Sequence, residues 1–170
     1  MNRHTMPRQR PHRSEQSVAT PSEFLQAAKD FLGIDEFSID LAASDENAVC
    51  ADFLTEAVVS LAYPWATVIS AGRWAWLNPP YTHIGPWVQK AYEESRKLRS
   101  YGGIAVLVPA STGANWWRDW VHMRACVLLL NGRITFVGHT GPYPKDLALL
   151  VYSRKYSPGY DVWSWKREQT

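Results

Sequence analysis

The sequence is short of cysteine, of long apolar runs and of any strong excess of one charge. Its two cysteines, Cys50 and Cys126, lie far apart in apolar surroundings without metal-ligand spacing. That excludes a disulfide framework and a cysteine metal site, and predicts free buried thiols of a cytoplasmic protein. No stretch approaches the ~18 apolar residues of a membrane span. The basic N-terminus lacks the apolar segment of a secretory signal. The net charge of +2 is small, but it is unevenly placed. Residues 1–13 hold Arg3, Arg8, Arg10 and Arg13 with no acid, whereas the rest carries 14 basic against 16 acidic residues. The folded part is therefore not a generally basic nucleic-acid binder, and any DNA contact falls to local patches or to the basic arm. What the chain has in quantity is apolar and aromatic surface, 46% and 13% of its residues, with nine tryptophans in 170 positions. That is enough for one core and one domain, with some tryptophans left to line a surface that meets flat rings.

Residues 1–18 are polar, basic and aperiodic, and predict a disordered arm. A helix is expected from Thr20-Pro21, an N-cap followed by proline with Glu23 as capping-box partner, to a stop at Gly33. Phe37–Leu41 alternates like a strand, and a short helix is expected near residues 45–52. Residues 53–73 give no clear period. Trp74–Leu77 is a compact strand that Asn78-Pro79-Pro80-Tyr81 must end, because two prolines forbid both ladder and helix. An amphipathic helix follows, with Ile84, Trp87, Val88, Ala91, Tyr92, Ser95 and Leu98 on one face. Ile104–Val108 is a continuous apolar run of the kind found inside parallel sheets, and Ala114–Met123 a short tryptophan-rich helix. Residues 127–130, 134–137 and 147–152 predict antiparallel strands, with Asn131-Gly132 as a hairpin turn. The alternation implies a three-layer α/β sheet, antiparallel near one edge.

The Asn78–Tyr81 loop is the feature that carries chemistry. In open α/β sheets ligands bind beyond the carboxyl ends of the strands. A rigid Pro79-Pro80 pair there gathers an amide side chain, a carbonyl and an aromatic ring around one small volume. The exocyclic amine of adenine is a weak nucleophile, since its lone pair is delocalised into the ring. Two acceptors, the Asn78 oxygen and the Pro79 carbonyl, holding its two hydrogens would favour the tetrahedral nitrogen of the transition state. Tyr81 would stack on a base flipped out of the duplex. The same tetrapeptide is also compatible with a plain turn after a strand.

Over about residues 20–152 the chain resembles the phage-type DNA N-6-adenine methyltransferase (Dam-like) family. The landmarks are Thr20-Pro21, residues 39–44 and 47–50, Asn78–Tyr81, residues 84–88 and 108–110, Trp116 and residues 132–136. The resemblance implies a compact Rossmann-like class I methyltransferase fold: a mostly parallel sheet, antiparallel C-terminal strands and helices on both faces. It further implies S-adenosylmethionine as methyl donor with no metal, adenine methylation of double-stranded DNA, a phage or prophage origin and the bacterial cytoplasm. The domain would span residues 19–155, with 1–18 as the arm and 156–170 as a C-terminal extension. Oligomeric state, monomer or dimer, is left open.

By the same resemblance, Thr20 and Pro21 close over the methionine end of the donor, and Asn78, Pro79, Pro80 and Tyr81 form the catalytic loop. Asp40, at the first strand's end, faces the donor's amino acid moiety, where a carboxylate suits a cationic amine. Ala42 and Ser44 stand where many methyltransferases have a glycine-rich loop. No acidic residue shortly precedes Leu61, which leaves Glu56 as the ribose partner. The interval from Asp40 to Asn78 is short, so one strand–helix unit is reduced. Candidate DNA contacts are His83, Ser111, Thr112, Trp116, Arg118 and Arg133, each with an ordinary surface or core role as its alternative. Alternative functions are a non-catalytic module of the same fold that binds DNA or a host protein, cytosine-N4 methylation and protein-glutamine methylation. Cytosine-C5 chemistry lacks its nucleophile, since neither cysteine follows a proline.

Overall fold

The computed structural model describes residues 18–55 and 58–166, with the side chains of residues 58 and 59 left aside. Glu56 and the segment 1–17 lie outside the described residues, so the roles expected of Glu56 and of the basic arm are not placed.

Helix α1 (Ser22–Leu32) is amphipathic and buries Phe24, Ala28 and Leu32. It ends as its composition dictates: Gly33 takes φ 70°, and its N–H and that of Ile34 cap the carbonyls of Asp30 and Lys29. Its start differs from expectation. Pro21 is the N-cap and has no polar side chain to cap with, while the Thr20 hydroxyl accepts from the Asn78 amide. The strands are β1 (Ile39–Ala43), β2 (Phe53–Thr55), β3 (Trp74–Leu77), β4 (Gly103–Pro109), β5 (Cys126–Asn131), β6 (Leu147–Ser153) and β7 (Gly159–Ser164). Between them lie α2 (Val58–Ala62), a 3-10 turn at Trp65–Thr67, α3 (Ile84–Lys97) and α4 (Asn115–Trp120).

All seven strands form one sheet in the order β2-β1-β3-β4-β6-β5-β7. Pairing is parallel except on either side of β6, which alone runs against the rest. The carboxyl ends of β1, β3, β4 and β5 therefore share one edge of the sheet. Both faces are covered, as a sheet of fully buried strands requires. On one face α1, with Phe37, Trp165 and the loop residues Ile134 and Phe136, covers Trp74, Trp76, Leu107 and Leu149. On the other, α3, α4 and Trp65 cover Leu41, Ala75, Leu77, Val106 and Leu150. This is the mixed three-layer α/β architecture of a Rossmann-like methyltransferase fold, with its antiparallel pairing toward the C-terminus.

Several local expectations are corrected. Residues 45–52 form turns rather than a helix. Residues 134–137 form no strand, and Asn131-Gly132 no tight hairpin, because the place beside β5 is taken by β6 and by β7 on its other edge. Ile134 and Phe136 are buried in alternation, but against α1's side of the core. The sheet also continues beyond residue 155: β7 pairs with β5, and Trp165 packs against Phe24 at 5.0 Å between ring centroids. Gly102 is demanded by a close approach, since a Cβ there would sit 2.1 Å from the Arg73 carbonyl oxygen. The two thiols are free and half-buried rather than buried.

Candidate active site

Strand β3 brings the site together. Its four residues are completely buried between β1 and β4, and Asn78-Pro79-Pro80-Tyr81 emerges from its carboxyl end. An open cleft lies there, lined by Val18, Thr20, Asp40, Ala42, Asn47, Val49, Trp76, Asn78, Pro79, Tyr81 and Phe136. A second is lined by His139, Gly141, Pro142, Tyr143 and Pro144, and shares Val18, Tyr81 and Phe136 with the first. Two cavities thus meet at one wall, beside the proline loop.

The first cleft has a carboxylate floor. Asp40 is the second residue of β1 rather than its last, and its side chain is 3% exposed. Its two oxygens accept the N–H groups of Ala42 (3.1 Å) and Val49 (3.2 Å), so the 44–52 loop wraps around the carboxylate. That wrapping is why no helix forms there. The loop is held in turn by Asn47, whose Oδ1 accepts the N–H and hydroxyl of Ser44. Burial raises the Asp40 pKa to about 6, against the lowering effect of its two N–H partners. A buried carboxylate so poorly neutralised favours an incoming cation.

The Asn78 amide is oriented by the segment before α1. Its Nδ2 donates to the Val18 carbonyl (3.3 Å) and the Thr20 hydroxyl (3.4 Å), so Oδ1 is the end left to accept from a ligand. The same segment is tied to the far side of the site, where the Val137 N–H donates to the Ala19 carbonyl. Tyr81 packs edge-on to Tyr143 (5.6 Å) and Phe136 (6.5 Å), which meet each other at 5.7 Å. Its hydroxyl is buried without a hydrogen-bond partner among the described residues, and burial, followed by Tyr143, holds its pKa well above 10. It therefore stays a protonated donor.

Among the expected donor-site residues, the structure brings Thr20, Asp40, Ala42 and Asn78 together in one cleft. Pro21 caps α1 beside it, and Ser44 supports Asn47 rather than lining the cleft. The expected DNA contacts are more scattered. Ser111 and Thr112 follow β4 at its carboxyl end, and His83 is exposed at the start of α3. Trp116 is half-buried against Trp117 at 5.6 Å. Arg118 is exposed but paired with Asp119, and Arg133 donates to the Pro144 carbonyl on the loop that walls the second cleft. All nine tryptophans are buried or half-buried, so none forms an exposed aromatic platform.

Sequence reasoning did not single out Trp76, Asn47, Phe136 or Tyr143 as site residues. Trp76 carried a usable signal, because a residue two before Asn78 on a strand points to the same face. Phe136 sat in an alternating run that suggested a strand, and Tyr143 comes from an irregular loop with no period to read. Among the described residues no group of three His, Cys, Asp or Glu is placed to hold a metal ion, and no helix is long and apolar enough to cross a membrane.

A family model described as DNA N-6-adenine-methyltransferase (Dam) matches residues 9–148. The chain is similar to the DNA N-6-adenine-methyltransferase of Escherichia phage T1, with 27% identity over 117 residues, 69% of this chain and 45% of that protein. It is likewise similar to the protein of that name from Haemophilus phage HP1 (strain HP1c1), with 26% identity over 122 residues, 71% of this chain and 66% of the relative. The match thus spans about half the length of the first relative and just under two thirds of the second.

Proposed function

The chain belongs to the DNA N-6-adenine-methyltransferase (Dam) family, and from that premise we propose that it transfers a methyl group from S-adenosylmethionine to the N6 amine of adenine in duplex DNA. The observation that carries this reading is the Asn78 amide in the first cleft, three residues before Tyr81 in the wall shared with the second, held by Nδ2 so that Oδ1 remains to accept.

The first cleft suits the methyl donor. Its buried Asp40 offers a cationic amino group an anionic partner, and Trp76 and Thr20 bring an indole N–H and a hydroxyl to the same space. Bound there, S-adenosylmethionine supplies a methyl group on a sulfonium, which needs no metal and no covalent enzyme intermediate. Asp40 holds the amine, Ala42 and Asn47 bound the cleft, and the Val18–Pro21 segment covers it. Glu56, just past the end of β2, is retained as the ribose partner.

The second cleft suits the target base. Tyr81, Phe136 and Tyr143 enclose it with rings, a lining that accepts a planar base once flipped from the duplex. The Asn78 oxygen and the Pro79 carbonyl each accept one amine hydrogen, which frees the nitrogen lone pair toward the first cleft. Transfer would form the N–C bond as the donor's S–C bond breaks, and the amine proton released would pass to solvent. Pro80 contributes only rigidity. His83, Ser111, Thr112, Trp116, Arg118 and Arg133 are the candidate DNA contacts around the active edge, acting in the cytoplasm of a bacterial host as monomer or dimer.

The test is transfer of a labelled methyl group from S-adenosylmethionine into unmethylated duplex DNA, followed by nucleoside analysis. Labelled N6-methyladenine is expected, and Asn78→Ala is expected to abolish it while leaving the fold intact by circular dichroism. Label in cytosine, in protein or nowhere would overturn the assignment. Near-wild-type turnover of Asn78→Ala would overturn the role of the loop.

A further inference from the structure

Trp76 presents a polar group that the packing of the fold does not use. It sits at the centre of β3, completely buried against Phe24 and Phe37, yet its indole N–H has no hydrogen-bond partner among the described residues. A buried donor left unpaired is costly, and native interiors seldom keep one without a reason. Among the described residues the Tyr81 hydroxyl is the other such orphan, whereas buried polar groups elsewhere around the sheet are satisfied. The Trp65 N–H donates to the Ser60 carbonyl (2.9 Å), the Ser60 hydroxyl to Leu41, and the Trp165 N–H to the Gly132 carbonyl (2.6 Å).

The position of this orphan is specific. Trp76 and Asp40 are register partners on adjacent parallel strands, so their side chains emerge side by side on the same face of the sheet. Both line the first cleft. A buried anionic acceptor and a buried neutral donor thus stand next to each other, with Thr20 lining the same cleft. An α-amino acid head group is the mirror of that pair, with an ammonium that needs an acceptor and a carboxylate that needs donors. The Asn47 amide, with its oxygen taken up by Ser44, offers a further donor end at the rim.

Resting on the proposed use of this cleft by S-adenosylmethionine, we infer that the Trp76 indole N–H binds the carboxylate of the donor's methionine moiety while Asp40 binds its amino group. Trp76 is then a specificity residue for an intact α-amino acid, and its apparent deficit in the free protein is a site kept ready for that carboxylate. The alternative origin of an unpaired indole, a large ring recruited only for packing, makes the opposite prediction for a ligand that lacks the carboxylate.

The experiment compares binding of S-adenosylmethionine and its decarboxylated analogue to the full chain and to Trp76→Phe, by calorimetry. Phenylalanine keeps the ring contacts and removes the N–H. Wild type is expected to prefer the intact donor, and Trp76→Phe to lose about ten- to hundredfold in affinity for it, the range of a hydrogen bond to a charged group. For the decarboxylated analogue the two proteins should bind alike. On unmutated protein labelled with ¹⁵N, the Trp76 indole proton should move downfield with the intact donor and stay in place with the analogue, a readout independent of any folding defect in the variant. Equal affinity of both proteins for the intact donor, or an equal loss for both ligands, would overturn the role of Trp76 and leave the donor site standing. Failure of wild type to bind either ligand would overturn the donor site itself, and this assignment with it.

Discussion

Asp40 makes the free protein less stable at neutral pH than in mild acid, and the size of the effect can be worked out. Its pKa is raised from 3.8 to about 6, chiefly by burial. At about 1.36 kcal/mol per pH unit, the ionised carboxylate gives up about 3 kcal/mol of folding free energy. The sign follows from the raised value. Below about pH 4 Asp40 is protonated in both states and stability is complete. As pH rises through 6, the native state must ionise a buried group that the unfolded chain ionised earlier, and stability is lost. About 2 of those 3 kcal/mol should disappear between about pH 4.5 and about pH 7.5. The assay is denaturant unfolding of wild type and Asp40→Asn at both pH values, since the difference between the two proteins cancels groups that titrate in common. The gap should shift by about 2 kcal/mol against wild type as pH rises. A gap independent of pH would refute the account of Asp40 as a buried, under-compensated anion. In the proposed function this cost is the source of donor affinity, so binding of S-adenosylmethionine should weaken as pH falls below about 6.

Two further outcomes test neighbouring parts of the structure. Tyr81→Phe removes a buried hydroxyl without a partner and keeps the ring, so unfolding should show equal or higher stability and methyl transfer should fall only a few-fold; Tyr81→Ala should lose tenfold or more, about 1.4 kcal/mol. A phenylalanine variant as impaired as the alanine one would mean that the hydroxyl, not the ring face, does the binding. Glu94, 4% exposed, accepts from the Ala66 N–H (2.8 Å) and Lys97 (2.6 Å); burial raises its pKa, but those bonds and the nearby Lys90 outweigh it and the net shift is downward. Glu94→Ala should cost about 1–3 kcal/mol at neutral pH, and the difference from wild type should shrink as pH falls below 4.5 through the lowered value; a constant difference in urea unfolding would contradict that linkage.

The sequence spoke most clearly where one element's period was uninterrupted. α3 repeats its apolar face for fourteen residues, and the proline pair after Leu77 leaves a strand nowhere to continue. α1 was legible through Gly33, whose left-handed turn is a local requirement. Residues 53–73 were not, because β2 and α2 are only three and five residues long, too short for a period to register. Ile134 and Phe136 misled for a definite reason: alternate burial was real, but the strand position it suggested belongs to β6. At the proposed site, the grouping of Asn78, Tyr81 and Asp40 in one cleft follows what their chemistry suggested. Trp76 was hidden because an apolar strand of two tryptophans reads as core, and Phe136 and Tyr143 because the loop that carries them becomes a wall only in three dimensions.

The meeting of Phe24 with Trp165 bears on how the protein comes off the ribosome. α1 is among the first described residues to be synthesised, and its apolar stripe rests against the last strand and the tryptophan beyond it. Until that end of the chain emerges, the helix has an incomplete surface to lie on, and the Val18–Thr20 cover has no fixed base. The proline loop and the Asp40 floor can assemble earlier from residues close to one another in the chain. The proposed site is thus built from its middle outward, and the nascent protein holds the parts of the two clefts before it has the means to enclose them.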